Sequence, residues 1–250
     1  MTASPNTTHF GFTSVKTSEK EKKVGEVFTS VADSYDLMND VMSFGVHRLW
    51  KRMAVLLSQV KPDAKILDLA GGSGDITKLL HKKLGPNGHI YLTDINKAML
   101  DVGKSRLLDE GIFNQVSFIE GNAECLPFRA NYFDTITMAF GLRNVTDKQK
   151  ALESMYRVCK PGGKLLILEF STPIVPALKT IYDWYSFHIL PKMGKLIAND
   201  EASYQYLAES IRMHPTQEAL KTMIETAGFE DCQYVNFTGG IVALHTAYKY

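Results

Sequence analysis

The chain predicts an open α/β fold, a mostly parallel sheet with helices on both faces, and three observations carry the prediction. Short apolar runs alternate with helix-period segments between residues 65 and 170. The first of those runs ends in a glycine loop, "LAGGSGD" at 69–75, that opens straight into a helical pattern. The chain closes on two strands separated by Gly239 and Gly240, which predicts a final antiparallel hairpin on the parallel sheet.

Taken in order, residues 1–22 are polar and are expected to form a loose segment ahead of a single domain at 23–250. Val24, Val27, Phe28, Val31 and Tyr35 then recur at helical spacing, and "HRLWKRMAVLL" continues as an amphipathic helix, so a helical cap spans about 23–60. Pro62 separates it from the first central strand, "KILDLA". The strands "HIYLTDI", "VSFIEG", "FDTITMAF" and "KLLILEF" follow, with helices expected from Asp75, Lys97 and Lys148. Gly162 and Gly163 punctuate the passage from the last of these helices into its strand.

After Phe170 the rhythm changes to a long helical insertion at about 173–212. Another helix is expected from Pro215, with proline at its first position, Glu218 in its first turn and Gly228 beyond its end. Right-handed crossovers would place the loops after the strands along one edge of the sheet.

Composition narrows the function. With 28 basic and 27 acidic residues the formal net charge is +1, which argues against a nucleic-acid partner. Cys125, Cys159 and Cys232 lie far apart without metal-ligand spacing, which fits a reducing compartment. The N-terminus lacks the apolar core of a signal peptide, and no run reaches the roughly 18 to 20 apolar residues of a membrane span.

The glycine loop asks for a nucleotide-like ligand. A dinucleotide fingerprint wants a third glycine where Thr77 stands, and Asp75 at the helix start would repel a pyrophosphate. S-adenosylmethionine carries no phosphate and tolerates both. Asp94, at the end of the second central strand, can accept hydrogen bonds from ribose hydroxyls, although alone it reads as a helix N-cap. Asn122 and Ala123 follow the third strand, where an adenine edge would lie; Asn122 alone reads as a turn residue. Three such elements at the ends of consecutive strands point to an adenosine site.

Beyond these elements, "YDLMNDVMSFGVHRLWKR", "LDLAGGSGD", "GNAECLPF", "FGLRNVTDK", "MYRVCKPGGKLLILEF" and "YQYLAESIRMHP" together resemble the ubiquinone/menaquinone biosynthesis C-methyltransferase family, from about His9 to Tyr250. The resemblance implies a Rossmann-like class I methyltransferase fold with a seven-stranded sheet and an antiparallel last strand. It implies S-adenosyl-L-methionine as methyl donor, no metal, and a prenylated benzoquinol or naphthoquinol as acceptor. Cofactor contacts would fall on Gly71 and Ser73 in the loop, on Asp94, on Asn122 and Ala123, and on position 139, where this chain has Ala139 and the family often has serine. A cytoplasmic location follows, with peripheral contact at the inner face of the membrane and with other quinone-biosynthesis enzymes left open.

For the chemistry, Arg143 and Asn144 in "AFGLRNVTD" stand where the fourth strand emerges and are candidates to bind the quinol oxygen. Set against that are a structural salt bridge for Arg143 and a helix cap for Asn144. In the insertion, "KTIYDWYSFHILPKM" concentrates aromatics; Tyr185 and His188, each with an apolar body and a polar tip, are candidates for the acceptor wall, against ordinary core packing for the stripe. Tyr35 is a candidate cover for the cofactor. The basic start of the second cap helix, His47, Arg48, Trp50, Lys51 and Arg52, is either a membrane-facing patch or a solvated helix face. Three competing classes stay open: a nicotinamide oxidoreductase, an O- or N-methyltransferase, and a noncatalytic scaffold.

Overall fold

The structure, a computed structural model, describes residues 7–32, 38–40, 43–198 and 200–250. Seven strands form one sheet. In chain order its first five are β3 (Lys65–Leu69), β4 (His89–Asp94), β5 (Val116–Glu120), β6 (Phe133–Ala139) and β7 (Cys159–Phe170), joined by the final pair β8 (Glu230–Phe237) and β9 (Val242–Tyr248). Their spatial order is β5-β4-β3-β6-β7-β9-β8. All neighbours are parallel except β9, which runs antiparallel to both β7 and β8. The chain leaves β3 toward one edge and returns at β6 to build toward the other, so a crevice opens at their carboxyl ends.

Alternation along the central strands assigns the two faces. Leu67, Leu69, Ile136, Leu165 and Ile167 pack against α5 (Lys148–Val158) and α9 (Gln217–Thr226) through Leu152, Met155, Leu220 and Ile224. On the other face Ile66, Ile90 and Leu92 meet α3 (Asp75–His81) and α4 (Lys97–Asp109), while Leu166, Leu168 and Leu244 meet α1 (Thr17–Val31) and α8 (Glu201–Arg212). Between β7 and α8 the insertion carries α6 (Pro176–His188) and α7 (Leu190–Ala198), as expected after the fifth central strand.

Three local expectations need correction. Residues 7–22 are not loose: β1 (Thr7–Phe10) and β2 (Thr13–Lys16) pair antiparallel, and α1 begins at Thr17. The ribbon is held by α8, where Phe10 stacks on Tyr206 at 4.2 Å and the Phe12 amide donates to Glu209 at 3.0 Å. The helix expected from Pro215 begins at Gln217, because the Thr216 hydroxyl caps it by accepting from the Ala219 amide. Finally, the chain is extended from Cys159, directly after α5, so Gly162 and Gly163 lie within β7.

The basic cluster of α2 (His47–Ser58) is mostly internal. The Lys51 ammonium donates to Asp75 at 2.7 Å, Trp50 Nε1 donates to Thr238 at 2.9 Å, and His47 Nδ1 lies 2.9 Å from the Ser43 hydroxyl. Arg48, bonded to Asp40, and Arg52 are its exposed cations. No described helix is long and apolar enough to cross a membrane.

Candidate active site

A cleft lies over the carboxyl ends of β3 to β6, enclosing about 820 Å³ of space with its open mouth included. Leu69, Ala70 and Gly72 enter it from the first loop, Asp94 to Asn96 from the second, Gly121 to Glu124 from the third, and Met138, Phe140, Gly141 and Asn144 from the fourth. α1 forms the roof. Its residues Glu21, Val24, Gly25 and Phe28, spaced i, i+3, i+4, i+7, all line the cleft. Roof and floor are tied by Asn96 Nδ2, which donates to Gly25 O at 3.0 Å, and by Asn122 Nδ2, which donates to Glu21 at 3.2 Å.

Close packing shapes the glycine loop. A Cβ on Gly103 of α4 would lie 2.3 Å from Gly72 O, so only glycine lets that helix touch the loop. Likewise a Cβ on Gly141 would lie 2.5 Å from the Ala70 side chain, at the point where the loops after β3 and β6 meet. Ala70 and Phe140 both carry positive φ, 52° and 57°, a conformation uncommon outside glycine, and both line the cleft.

Below the loop, buried Asp68 accepts from the hydroxyls of Thr77 at 2.6 Å and Thr137 at 2.9 Å, joining β3, α3 and β6. Thr77, the residue at the third-glycine position, is thereby a brace between loop and sheet. Asp75 needs a different account from the one its sequence position suggests. It is paired with Lys51 at 2.7 Å and Arg106 at 3.2 Å, so its charge is neutralised within the fold. Burial pushes its carboxyl upward, but those two cations outweigh burial and hold it below the usual range.

Asp94 lines the cleft. Its Oδ2 accepts from the Gly72 amide at 2.9 Å and its Oδ1 from the Asn96 amide at 2.9 Å, which leaves lone pairs for a diol. It is not the cap of α4; Asn96 is, accepting from the Met99 amide. Burial pushes the Asp94 carboxyl up to about 6. The Asn122 side chain is spent locally, since Oδ1 caps a 3-10 turn through the Glu124 amide and Nδ2 bonds Glu21. What Asn122 and Ala123 offer a ligand is therefore their backbone.

The other expected residues are dispersed. Gly72, rather than Gly71, lines the cleft; Gly71 backs onto Leu92 of β4. Ser73 is buried outside the lining, and Ala139 packs between the core clusters while its neighbours Met138 and Phe140 face the cleft. Asn144 does face the cleft, from the 3-10 turn Leu142–Asn144, and it caps no helix because Asp147 caps α5. The Arg143 guanidinium donates to Phe140 O and pairs with Glu169, and the residue lines a neighbouring cavity rather than the cleft. Tyr185 packs against Phe44 at 4.9 Å, and exposed His188 stacks on Trp184 and meets its carbonyl; neither lines the cleft. Tyr35 lies outside the described residues.

The lining suits an adenosine-bearing methyl donor. It offers a carboxylate for a ribose diol, backbone groups for a purine edge, and apolar walls from Ile95, Met99, Leu69 and Met138. Fold and cleft together define the Rossmann-like methyltransferase class. Solved structures agree on the fold: a SAM-dependent methyltransferase from Aquifex aeolicus (TM-score 0.62, 19% identity, covering 86% of this chain and 98% of that one) and another from Thermotoga maritima, described as a possible histamine N-methyltransferase (TM-score 0.63, 19% identity, 90% and 99%).

Sequence comparison is more specific. The model of the ubiE/COQ5 methyltransferase family matches residues 16–249, and the chain belongs to that family. It is 68% identical over 250 residues, the whole of both chains, to a Legionella pneumophila protein named ubiquinone/menaquinone biosynthesis C-methyltransferase. Relatives of the same name from Psychromonas ingrahamii (61% over 245 residues, 98% of each chain) and Vibrio cholerae (59% over 249 residues, 100% and 96%) also match.

Proposed function

We propose that this protein transfers the methyl group of S-adenosyl-L-methionine to a ring carbon of a prenylated quinol, a polyprenyl methoxybenzoquinol, demethylmenaquinol or both. The observation that carries this reading is the 68% identity over the full chain with a relative named for that carbon methylation. The cleft supports it with a carboxylate, Asp94, that can accept from a ribose diol, and with a wall that continues to Asn144.

The donor supplies an electrophilic methyl on a sulfonium. What the chain must do is bind it, hold the acceptor carbon in line, keep water out and favour the electron-rich form of the ring. Asp94 and the backbone at Asn122 and Ala123 bind the adenosine. The α1 roof and the apolar wall of Phe28, Met138 and Phe140 exclude water. Asn144 faces the oxygen of the quinol, where a hydrogen bond to a developing phenolate strengthens as the proton leaves. The new carbon–carbon bond forms as the carbon–sulfur bond breaks, and the ring carbon then loses its proton to restore aromaticity.

Arg143 serves this site from below: paired with Glu169, it fixes the turn that presents Asn144. Since a prenylated acceptor resides in lipid, the reading places the protein's work at a membrane surface, in the company of enzymes that hand over the same tailed ring. The test is transfer of labelled methyl to short-tailed benzoquinol and naphthoquinol acceptors, with the product mapped by mass spectrometry. Label on a ring carbon supports the proposal; label on oxygen, or none despite donor binding, removes it.

A further inference from the structure

Asn144 is presented to the cleft by a single 3-10 turn, closed by its own amide donating to Gly141 O at 3.1 Å. A turn that short sets the position of a side chain but not the orientation of its amide, which has an acceptor at one end and a donor at the other. A residue 62 positions later supplies the orientation. The Tyr206 hydroxyl, on α8, donates to Asn144 Oδ1 at 3.0 Å.

Tyr206 is itself held rigidly. Its ring lies 4.2 Å from that of Phe10, 17° from parallel, and only 4% of the residue is exposed. Burial pushes its hydroxyl well above the ordinary range and outweighs the lowering by nearby Arg143, so the group stays protonated and donates. With Oδ1 committed to Tyr206, the part of the Asn144 amide left for an oxygen in the cleft is the Nδ2 donor.

We propose that Tyr206 is a positioning residue for methyl transfer, turning the Asn144 amide so that its NH2 group faces the acceptor oxygen. This rests on the reading that the acceptor oxygen meets Asn144. The ribbon at the N-terminus takes part through Phe10, which stacks the tyrosine ring in place. A side chain outside the cleft thereby decides whether the cleft presents a donor or an acceptor to the quinol, and a donor favours the ionised, more nucleophilic ring.

The test compares Tyr206→Phe, Asn144→Ala and the double variant with the wild-type chain. Tyr206→Phe keeps the stack on Phe10 and removes one hydroxyl. The expected result is a kcat about tenfold lower, the scale of one hydrogen bond, with unchanged affinity for S-adenosylhomocysteine and a double variant no slower than Asn144→Ala alone. A Tyr206→Phe enzyme with wild-type kcat, or effects that multiply independently, overturns the proposal.

A second readout does not depend on the acceptor. In 15N-edited spectra the Asn144 side-chain NH2 pair should shift and broaden in Tyr206→Phe as the amide loses its fixed orientation. An unchanged pair overturns the positioning claim even if the wild-type chain methylates no quinol, whereas absent methylation with the expected spectral change overturns only the acceptor assignment.

Discussion

Arg143 and Glu169 form an ion pair at 3.0 Å with side chains only 3% and 1% exposed, and a second bond runs from the Arg143 amide to the same carboxylate at 3.1 Å. The pair links the turn after β6 to the end of β7, the strand beside it. Removing one member leaves a buried charge without its partner, at a cost of about 3–5 kcal/mol. Arg143→Ala should therefore lose stability of that order in denaturant unfolding, and Arg143→Met combined with Glu169→Leu should recover most of it. A stable Arg143→Ala protein would contradict the structural role.

Donor affinity should depend on pH through Asp94. Its carboxyl, near 6 in the fold against about 3.9 for an exposed aspartate, binds more protons folded than unfolded between those values. Its contribution to stability is thus fully present below about pH 4 and is lost as pH rises through 6. Ligand binding runs the other way, since the carboxylate is the better acceptor for ribose hydroxyls. S-adenosylhomocysteine should bind more weakly below pH 6, by up to about tenfold per pH unit. Asp68 also titrates near 6 but lies beneath the loop, bonded to Thr77 and Thr137, so its effect persists in Asp94→Asn. Calorimetric titration of that variant should show the Asp94 part of the pH dependence gone and only the part due to Asp68 left.

Gly103→Ala places a methyl 2.3 Å from Gly72 O, and the obstacle is backbone that cannot swing aside. α4 must retreat from the loop and carry Met99 with it. The expected cost is about 1–3 kcal/mol of stability, together with weaker S-adenosylhomocysteine binding. Thermal unfolding and titration of the same sample check both.

Lys51→Met should make the protein less stable at neutral pH and less sensitive to acid. The Asp75 carboxyl is held below its usual range, so its stabilising contribution is present above about pH 4 and is lost as pH falls through the lower folded value. Without Lys51, burial dominates and that contribution shrinks. The stability gap between the wild-type chain and the variant should be widest at pH 7 and should narrow as pH falls below about 4.

The central strands were legible because buried parallel strands are continuous apolar runs, and "KILDL" and "KLLILEF" leave little choice. That Asp94, Asn122 and Ala123 line the cleft was legible for a related reason: Asp94 ends β4, the other two follow β5, and the loops after the strands gather at the cleft. The ribbon was missed because "TTHF" and "TSVK" are short and polar, and only contact with α8 makes them strands. Asp75 was read by its position at a helix start, yet its neutralising partners lie 24 and 31 residues away. The roof face of α1 was equally hidden, because a helical stripe says that something is covered without saying what. Gly103 carried no signal, since its reason is the backbone of a loop 31 residues earlier. Arg143 and Tyr206 depend on partners that only the folded sheet supplies.

The central claim is carbon methylation of a reduced ring, and one measurement reaches it most directly. Purified protein and labelled S-adenosylmethionine are incubated with a short-tailed demethylnaphthoquinone and a short-tailed benzoquinone, each oxidised and each reduced. The account predicts label on a ring carbon of one or both acceptors in the reduced samples and background in the oxidised ones, because only the quinol is electron-rich enough to attack the methyl. Equal transfer to the oxidised forms, or label recovered on a phenolic oxygen, would contradict it.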